Sequence, residues 1–434
     1  MEPRIQVFPK NTEVKNNRLV IGGADVAGLC AKYGTPLYVF DEATIRQNCR
    51  DFKREFSRRY ADSSVSYASK AFLHPALLKI LAEEGMSLDV VSGGELSIAS
   101  SAGFPMDMVY FHGNNKSADE LRLALRLHVG RIVVDSFDEI KLLSKLADES
   151  GHIPDILLRL TPGVDAHTHH HITTGKLDSK FGFPLFQAAE AVGLAMAQAS
   201  LNLVGFHFHI GSQIFETQPF LDAIDLVLEF AAQVQERYGF DIEELDIGGG
   251  YGVQYEVDKP APQVSVYAEA IGAKIVSKCH SLKLTPPSLN IEPGRAVIAQ
   301  AGVALYTVGV IKDIPGIRVY ASVDGGMGDN IRPALYEAKY EAVVANNVQS
   351  SEKQKVTVAG KFCESGDILI TDIELPVLKT GDILAVPCCG AYCLPMSNNY
   401  NGYQRPAVVM LKNGEDRLIR RRETVEDLSR LDSV

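Results

Sequence analysis

Residues 65–111 read VSYASKAFLHPALLKILAEEGMSLDVVSGGELSIASSAGFPMDMVYF, and the alternation inside this stretch decides the fold. It opens on a short β-prone run, Val65-Ser66-Tyr67-Ala68. HPALLKILAEEG then sets apolar residues at helical spacing and stops on a glycine. The same pair of textures recurs as Leu88-Asp89-Val90-Val91 followed by SGGELSIASSAGF, and again from Met108-Val109-Tyr110-Phe111 onward. Further runs are Ile132-Val133-Val134 (followed by the helical DSFDEIKLLSKLADESG), Ile156-Leu157-Leu158-Arg159, Leu203-Val204-Gly205-Phe206, Leu245-Asp246-Ile247 and Ser288-Leu289-Asn290-Ile291. Strand–helix alternation repeated eight times over roughly 230 residues predicts an α/β fold, a (β/α)8 TIM-like barrel.

Past residue 300 the texture changes. VALYTVGVI, RVYASVDGG, YEAVVAN, KVTVAGKF, DILITDI, DILAVPCCGAY, AVVMLKNGE and RLIRRRE follow one another with little helix between them. This predicts a separate C-terminal antiparallel β domain. LVIGG and PLYVF near the start are expected to add N-terminal strands to it. The expected boundaries are 1–42 for that N-terminal segment, 43–300 for the barrel and 301–434 for the β domain.

Composition narrows the function. The formal charge is −11 over 434 residues, which argues against nucleic-acid partners and anionic membranes. No apolar stretch approaches the ~18 residues of a membrane span. The opening MEPRIQVFPKNTEVKNN has no apolar core, so a cytoplasmic location is expected. The seven cysteines are irregularly spaced, which favours reduced thiols.

The strand runs lead into Lys70, Ser92, His112, Asp135, Arg159, His209, the glycines 248–250 and Glu292. A barrel gathers such strand ends on one face. There Lys70 would be buried with a lowered pKa, as a neutral amine able to form a Schiff base; taken alone, it reads rather as a surface lysine at a strand end. Gly248-Gly249-Gly250 can bare backbone N–H groups to a phosphate, or can simply turn the chain. In Glu292-Pro293-Gly294-Arg295, Glu292 suits a protonated ring nitrogen and Gly294 or Arg295 an anion, although a surface ion pair is the plain alternative. His207 and His209 share a strand face, so one could stack on a flat ring while Ser212 bonds a phosphate. With the tract His167-Thr168-His169-His170-His171 they could instead bind metal. No carboxylate has the spacing of helical zinc motifs, and no metal is expected. Cys363 beside Glu364 is either a proton donor next to an amine binder or an inert buried thiol.

Taken in order, YASKA, HFHIGSQ, DIGGGYG, EPGR, CESGD and GAYCLPMSNNYN resemble the barrel-type (fold type III) pyridoxal-phosphate-dependent decarboxylases. DSKFGF, EPGRAVIAQAG, SVDGGMGDNIRPALYEA and GAYCLPMSNNYNGYQRPA are most similar to the branch acting on meso-2,6-diaminopimelate. The resemblance runs from about residue 20 to 415. It implies pyridoxal 5'-phosphate as cofactor and an amino acid as substrate, with L-lysine and carbon dioxide as products. It implies Lys70 as the cofactor-bearing lysine and His209 as the ring-stacking histidine. Ser212, Gly248, Gly249, Gly250, Gly294, Arg295 and Tyr392 become cofactor contacts, and Glu292 the partner of the ring nitrogen. Arg295, Arg332, Tyr336, Glu364 and Tyr392 become substrate contacts, and Cys363 the proton donor. It further implies a homodimer in which Cys363 and Glu364 serve the other subunit's site. Decarboxylases of ornithine, lysine or arginine, a non-enzymatic pyridoxal-phosphate protein and a metal-dependent hydrolase are the competing readings.

Overall fold

The computed structural model describes residues 4–164 and 178–433. The histidine tract 167–171 lies outside the described residues. The chain forms two compact units: Cys49–Gly252 with Ala261–Gly294, and the chain up to Asn48 with Val253–Pro260 and Arg295 onward.

In the first unit eight parallel strands follow one another. They are Ser63–Ala68 (β1), Ser87–Val90 (β2), Val109–Phe111 (β3), Arg131–Val134 (β4), Asp155–Thr161 (β5), Asn202–Phe208 (β6), Glu244–Asp246 (β7) and Ser288–Ile291 (β8). β8 pairs in parallel with β1, Leu289 opposite Ser63 and Ile291 opposite Val65, so the barrel closes as the alternation predicts. Short βα connections work because each helix starts at once. Ser92, Ser117 and Ser136 accept the N–H of Glu95, Glu120 and Glu139, capping helices Gly93–Ser101, Ala118–Leu127 and Phe137–Ser150. Each such cap contributes about 1 kcal/mol. Helix Pro75–Glu83 begins with proline in its first turn and buries Leu77, Leu78, Ile80 and Leu81. Inside, Tyr110, Val133, Leu157 and Val204 from β3 to β6 form a buried cluster. At the strands' N-terminal ends, Arg131 pairs with Glu244 and Asp155, each at 2.8–2.9 Å. The opposite end is left to chemistry.

The second unit carries a nine-stranded sheet around the long strand Gly302–Ile314. All eight runs read after residue 300 are strands in it. The sheet is mixed rather than purely antiparallel: Ala407–Lys412 runs parallel to Leu37–Asp41, and Arg318–Val323 parallel to Lys353–Ala359. Both parallel partners are far apart in sequence, so long connections can bring them round in the same sense. Of the two N-terminal runs, only PLYVF joins this sheet, pairing with Gly302–Leu305. The run in LVIGG forms a separate three-stranded sheet with Thr12–Lys15 and Ala24–Asp25, because the tight turn at Asn16-Asn17 pairs it with its immediate neighbour first. Among the described residues, no helix is long and apolar enough to cross a membrane.

Candidate active site

In the barrel unit the site is built from strand ends. Glu292, one residue past β8, is buried. Its Oε1 lies 2.7 Å from His112 Nε2, and its Oε2 lies 3.4 Å from His207 Nε2. Burial by itself raises a carboxyl pKa. Here the adjacent His112 and His207 outweigh burial and hold Glu292 well below the usual carboxylate range. Burial pushes His207 down to about 3, so it stands beside Glu292 as a neutral imidazole. Two neighbouring carboxyls go the other way. Burial pushes Asp89 up, and burial together with the charge of Glu292 pushes Asp246 well up. Of the three, Glu292 is the one whose pKa is lowered.

His209 follows β6. Gly249 N–H donates to its Nδ1 at 3.2 Å, which leaves the ring proton on Nε2. Burial, then the charges of Lys70 and Arg159, push its pKa well down, so the ring is neutral and suited to stacking. The glycine turn is anchored from beneath: Gly248 N–H donates to Asp246 Oδ1 at 2.8 Å, and Asn290 Nδ2 donates to Asp246 Oδ2 at 2.7 Å. Ser64 and Ser66 of β1 donate to Asn290 Oδ1, so the line runs through three strands. Gly248 has φ +69°, and a Cβ on Gly249 would sit 2.2 Å from the Glu292 carbonyl oxygen. Gly249→Ala is therefore expected to destabilise the protein by about 1–3 kcal/mol and to weaken cofactor retention, measured by denaturant unfolding and by absorbance after dialysis. The loop bearing Ser212, itself exposed, is tied to the same turn by Ile214 N–H donating to Gly250 O at 2.9 Å. Gly294 is buried, and a Cβ there would meet Ala68 Cβ at 2.9 Å.

Lys70 departs from the sequence expectation of burial: it is exposed. Ser69 Oγ is held inward, 2.5 Å from the Asp89 carbonyl oxygen and 2.9 Å from Glu95 Oε2. The 3₁₀ turn Ser69–Ala71 carries Lys70 at the end of β1. Its charge still bears on Asp89, Glu95 and His209. Beside His209 a cavity of about 290 Å³ is lined by Arg159, Thr161, Asp178, Phe181, His209 and Gly211. Arg159 stacks over the Phe181 ring at 4.4 Å.

The second unit brings the other residues into two groups. Arg295 Nη1 and Arg332 Nη1 both donate to the Tyr255 hydroxyl, at 2.9 and 3.1 Å, and Arg295 lies 4.6 Å above the Tyr392 ring. Arg332 Nη1 also donates to the Tyr340 hydroxyl at 2.6 Å. Tyr336 ends the helix Arg332–Tyr336 and is exposed. Cys363 and Glu364 sit on a separate tethered loop. Asp367 accepts from Phe362 N–H at 2.9 Å and from Met327 N–H at 2.6 Å, while Asn401 Oδ1 accepts from Cys363 N–H at 2.8 Å. Three sequence phrases, DGGMGDN, CESGD and NNYN, thus hold one loop. Cys363 and Glu364 are exposed, which overturns the alternative of an inert buried thiol.

Sequence reasoning gave no role to His112, Asp89, Asp246, Tyr255 or Tyr340. His112 and Arg159 were visible as polar strand ends; the two tyrosines carry no motif.

Residues 42–299 match the family model described as the pyridoxal-binding domain of pyridoxal-dependent decarboxylases. The diaminopimelate decarboxylase of Bacillus subtilis (strain 168) is 49% identical over 420 residues, 96% of either chain. The chain belongs to the diaminopimelate decarboxylase family. Solved structures of the diaminopimelate decarboxylase family have the same fold. The enzyme from M. jannaschii, in co-complex with L-lysine, matches with a TM-score of 0.93 at 36% identity over 98% of each chain. The enzyme from Helicobacter pylori, complexed with L-lysine, matches at 0.84 and 34% identity, covering 94% of this chain and 98% of that one. The barrel residues of this family member fit the cofactor that the family implies. Glu292 is a buried carboxylate at a strand end, and a Cβ on Gly249 would meet the Glu292 carbonyl oxygen at 2.2 Å, so glycine keeps the adjoining turn open.

Proposed function

We propose that the protein decarboxylates meso-2,6-diaminopimelate to L-lysine with pyridoxal 5'-phosphate, as a homodimer. The observation that carries this reading is the buried Glu292 anion between His112 and neutral His207, on the strand-end face that also bears His209 and Lys70. Bound pyridoxal phosphate supplies a protonated ring that accepts the electron pair left when the bond from Cα to the carboxylate breaks. The chain's own residues do the rest. Lys70 would be the amine that holds the cofactor. Glu292, ionised and acceptor-only, keeps the proton on the ring nitrogen. His209 would stack against the cofactor ring, and Ser212, Gly248, Gly249, Gly250 and Gly294 would hold its phosphate. Arg295 and Arg332, held together on the Tyr255 hydroxyl, take the substrate's distal carboxylate, and Glu364 takes its ammonium. Cys363 delivers the proton to Cα after carbon dioxide leaves.

Clamping a distal carboxylate separates this substrate from ornithine or lysine, which would leave the arginines unpaired. Discrimination on the order of 10⁴ is available from such a site. Carbon dioxide release from meso-diaminopimelate, L-ornithine, L-lysine and L-arginine tests the reading: turnover of ornithine with diaminopimelate inert would overturn the substrate.

Exposure of Tyr336, Cys363 and Glu364 supports their use by a second copy of the chain. Cys363→Ala is expected to lower kcat about 10²-fold with cofactor still bound. Mixed and re-equilibrated with Lys70→Ala, it should regain activity if one site draws on both subunits, and stay inactive if each subunit works alone.

A further inference from the structure

Tyr255 is a buried phenol standing between two cations. Its oxygen accepts from Arg295 at 2.9 Å and from Arg332 at 3.1 Å. Its ring centroid lies 5.8 Å from the Arg295 guanidinium carbon and 5.1 Å from that of Arg332. Tyr340 closes the arrangement, edge-on to Tyr255 at 5.5 Å and accepting from Arg332 at 2.6 Å. Two guanidinium groups that share one hydroxyl oxygen sit closer than their like charges favour. The phenol oxygen and the aromatic faces offset that repulsion.

Burial pushes the Tyr255 pKa up, against the pull of both arginines, so the phenol keeps its proton. Both arginines donate to this hydroxyl, and neither can accept its proton. The cluster therefore sets two planar cationic forks around one protonated hydroxyl. A carboxylate, which has acceptor sites for all three, is the ligand class that satisfies it.

We propose that Tyr255 is a specificity-determining positioning residue, which sets the spacing of Arg295 and Arg332 and fits the pair to a single carboxylate. The proposal rests on the decarboxylase reading above. It makes Tyr255, rather than the arginines alone, responsible for preferring a substrate that carries a distal carboxylate.

The test is Tyr255→Phe, which keeps the ring and removes the shared oxygen, in the cofactor-loaded enzyme. KM for meso-diaminopimelate should rise at least about tenfold, with kcat changed by less than about threefold. Competitive inhibition supplies the discriminating readout. The inhibition constant of L-lysine should rise by at least about tenfold. That of cadaverine, the same diamine without its carboxylate, should stay within about twofold. Tyr255→Met is the second variant, of different shape, and should shift the same ratio. Equal weakening of both inhibitors, or an unchanged ratio in either variant, overturns the proposal while leaving the decarboxylase reading in place. A wild-type enzyme that does not turn over meso-diaminopimelate removes both.

Discussion

Replacing Lys70 with alanine is expected to abolish covalent attachment of the cofactor and to lower decarboxylation by on the order of 10³-fold or more. The fold should be intact, because Lys70 is exposed at a strand end and buries no core surface. The turn that presents it is held by Ser69, whose hydroxyl reaches the Asp89 carbonyl. Near-normal thermal unfolding of the cofactor-free variant, absent turnover and loss of the visible absorbance of the enzyme-bound cofactor are the expected results. Turnover within tenfold of wild type would assign the amine elsewhere.

Glu292→Gln should cost on the order of 10²–10³ in kcat. The amide matches the carboxylate in shape but carries no charge, so nothing holds a proton on the ring nitrogen. His207 cannot substitute, since burial keeps it neutral. Stability should report the same change. The folded pKa of Glu292 is depressed, so its ionised form contributes stability above the unfolded carboxyl pKa of about 4.3 and loses it as pH falls further. Urea unfolding of wild type and variant across that range should show a wild-type contribution that fades toward acid and is missing in Glu292→Gln. Unchanged kcat would contradict the role given to this carboxylate.

The barrel was legible because its alternation repeats. Each βα step carries its own signals, such as the serine caps at Ser92, Ser117 and Ser136, and each barrel strand is a short apolar run. Strand ends were legible for the same reason: in a barrel, chain position alone sends Lys70, His209 and Glu292 to one face. Partnership was not legible. Nothing in the sequence joins His112 to Glu292, which lie 180 positions apart yet within 2.7 Å, or Tyr255 to Arg332, since such pairs are set by packing. The exposure of Lys70 was missed because a strand-end position fixes the face a residue lies on and not how far its side chain is covered. LVIGG was placed in the larger sheet because its composition fits either sheet; a turn two residues earlier decided the outcome.

Borohydride reduction of the cofactor-loaded enzyme, followed by proteolysis and peptide mass mapping, tests the central claim most directly. The expected result is the mass of one reduced pyridoxal phosphate on the peptide bearing Lys70, and on no other lysine. Label on a different lysine, or none at all in enzyme that releases carbon dioxide from meso-diaminopimelate, would contradict it.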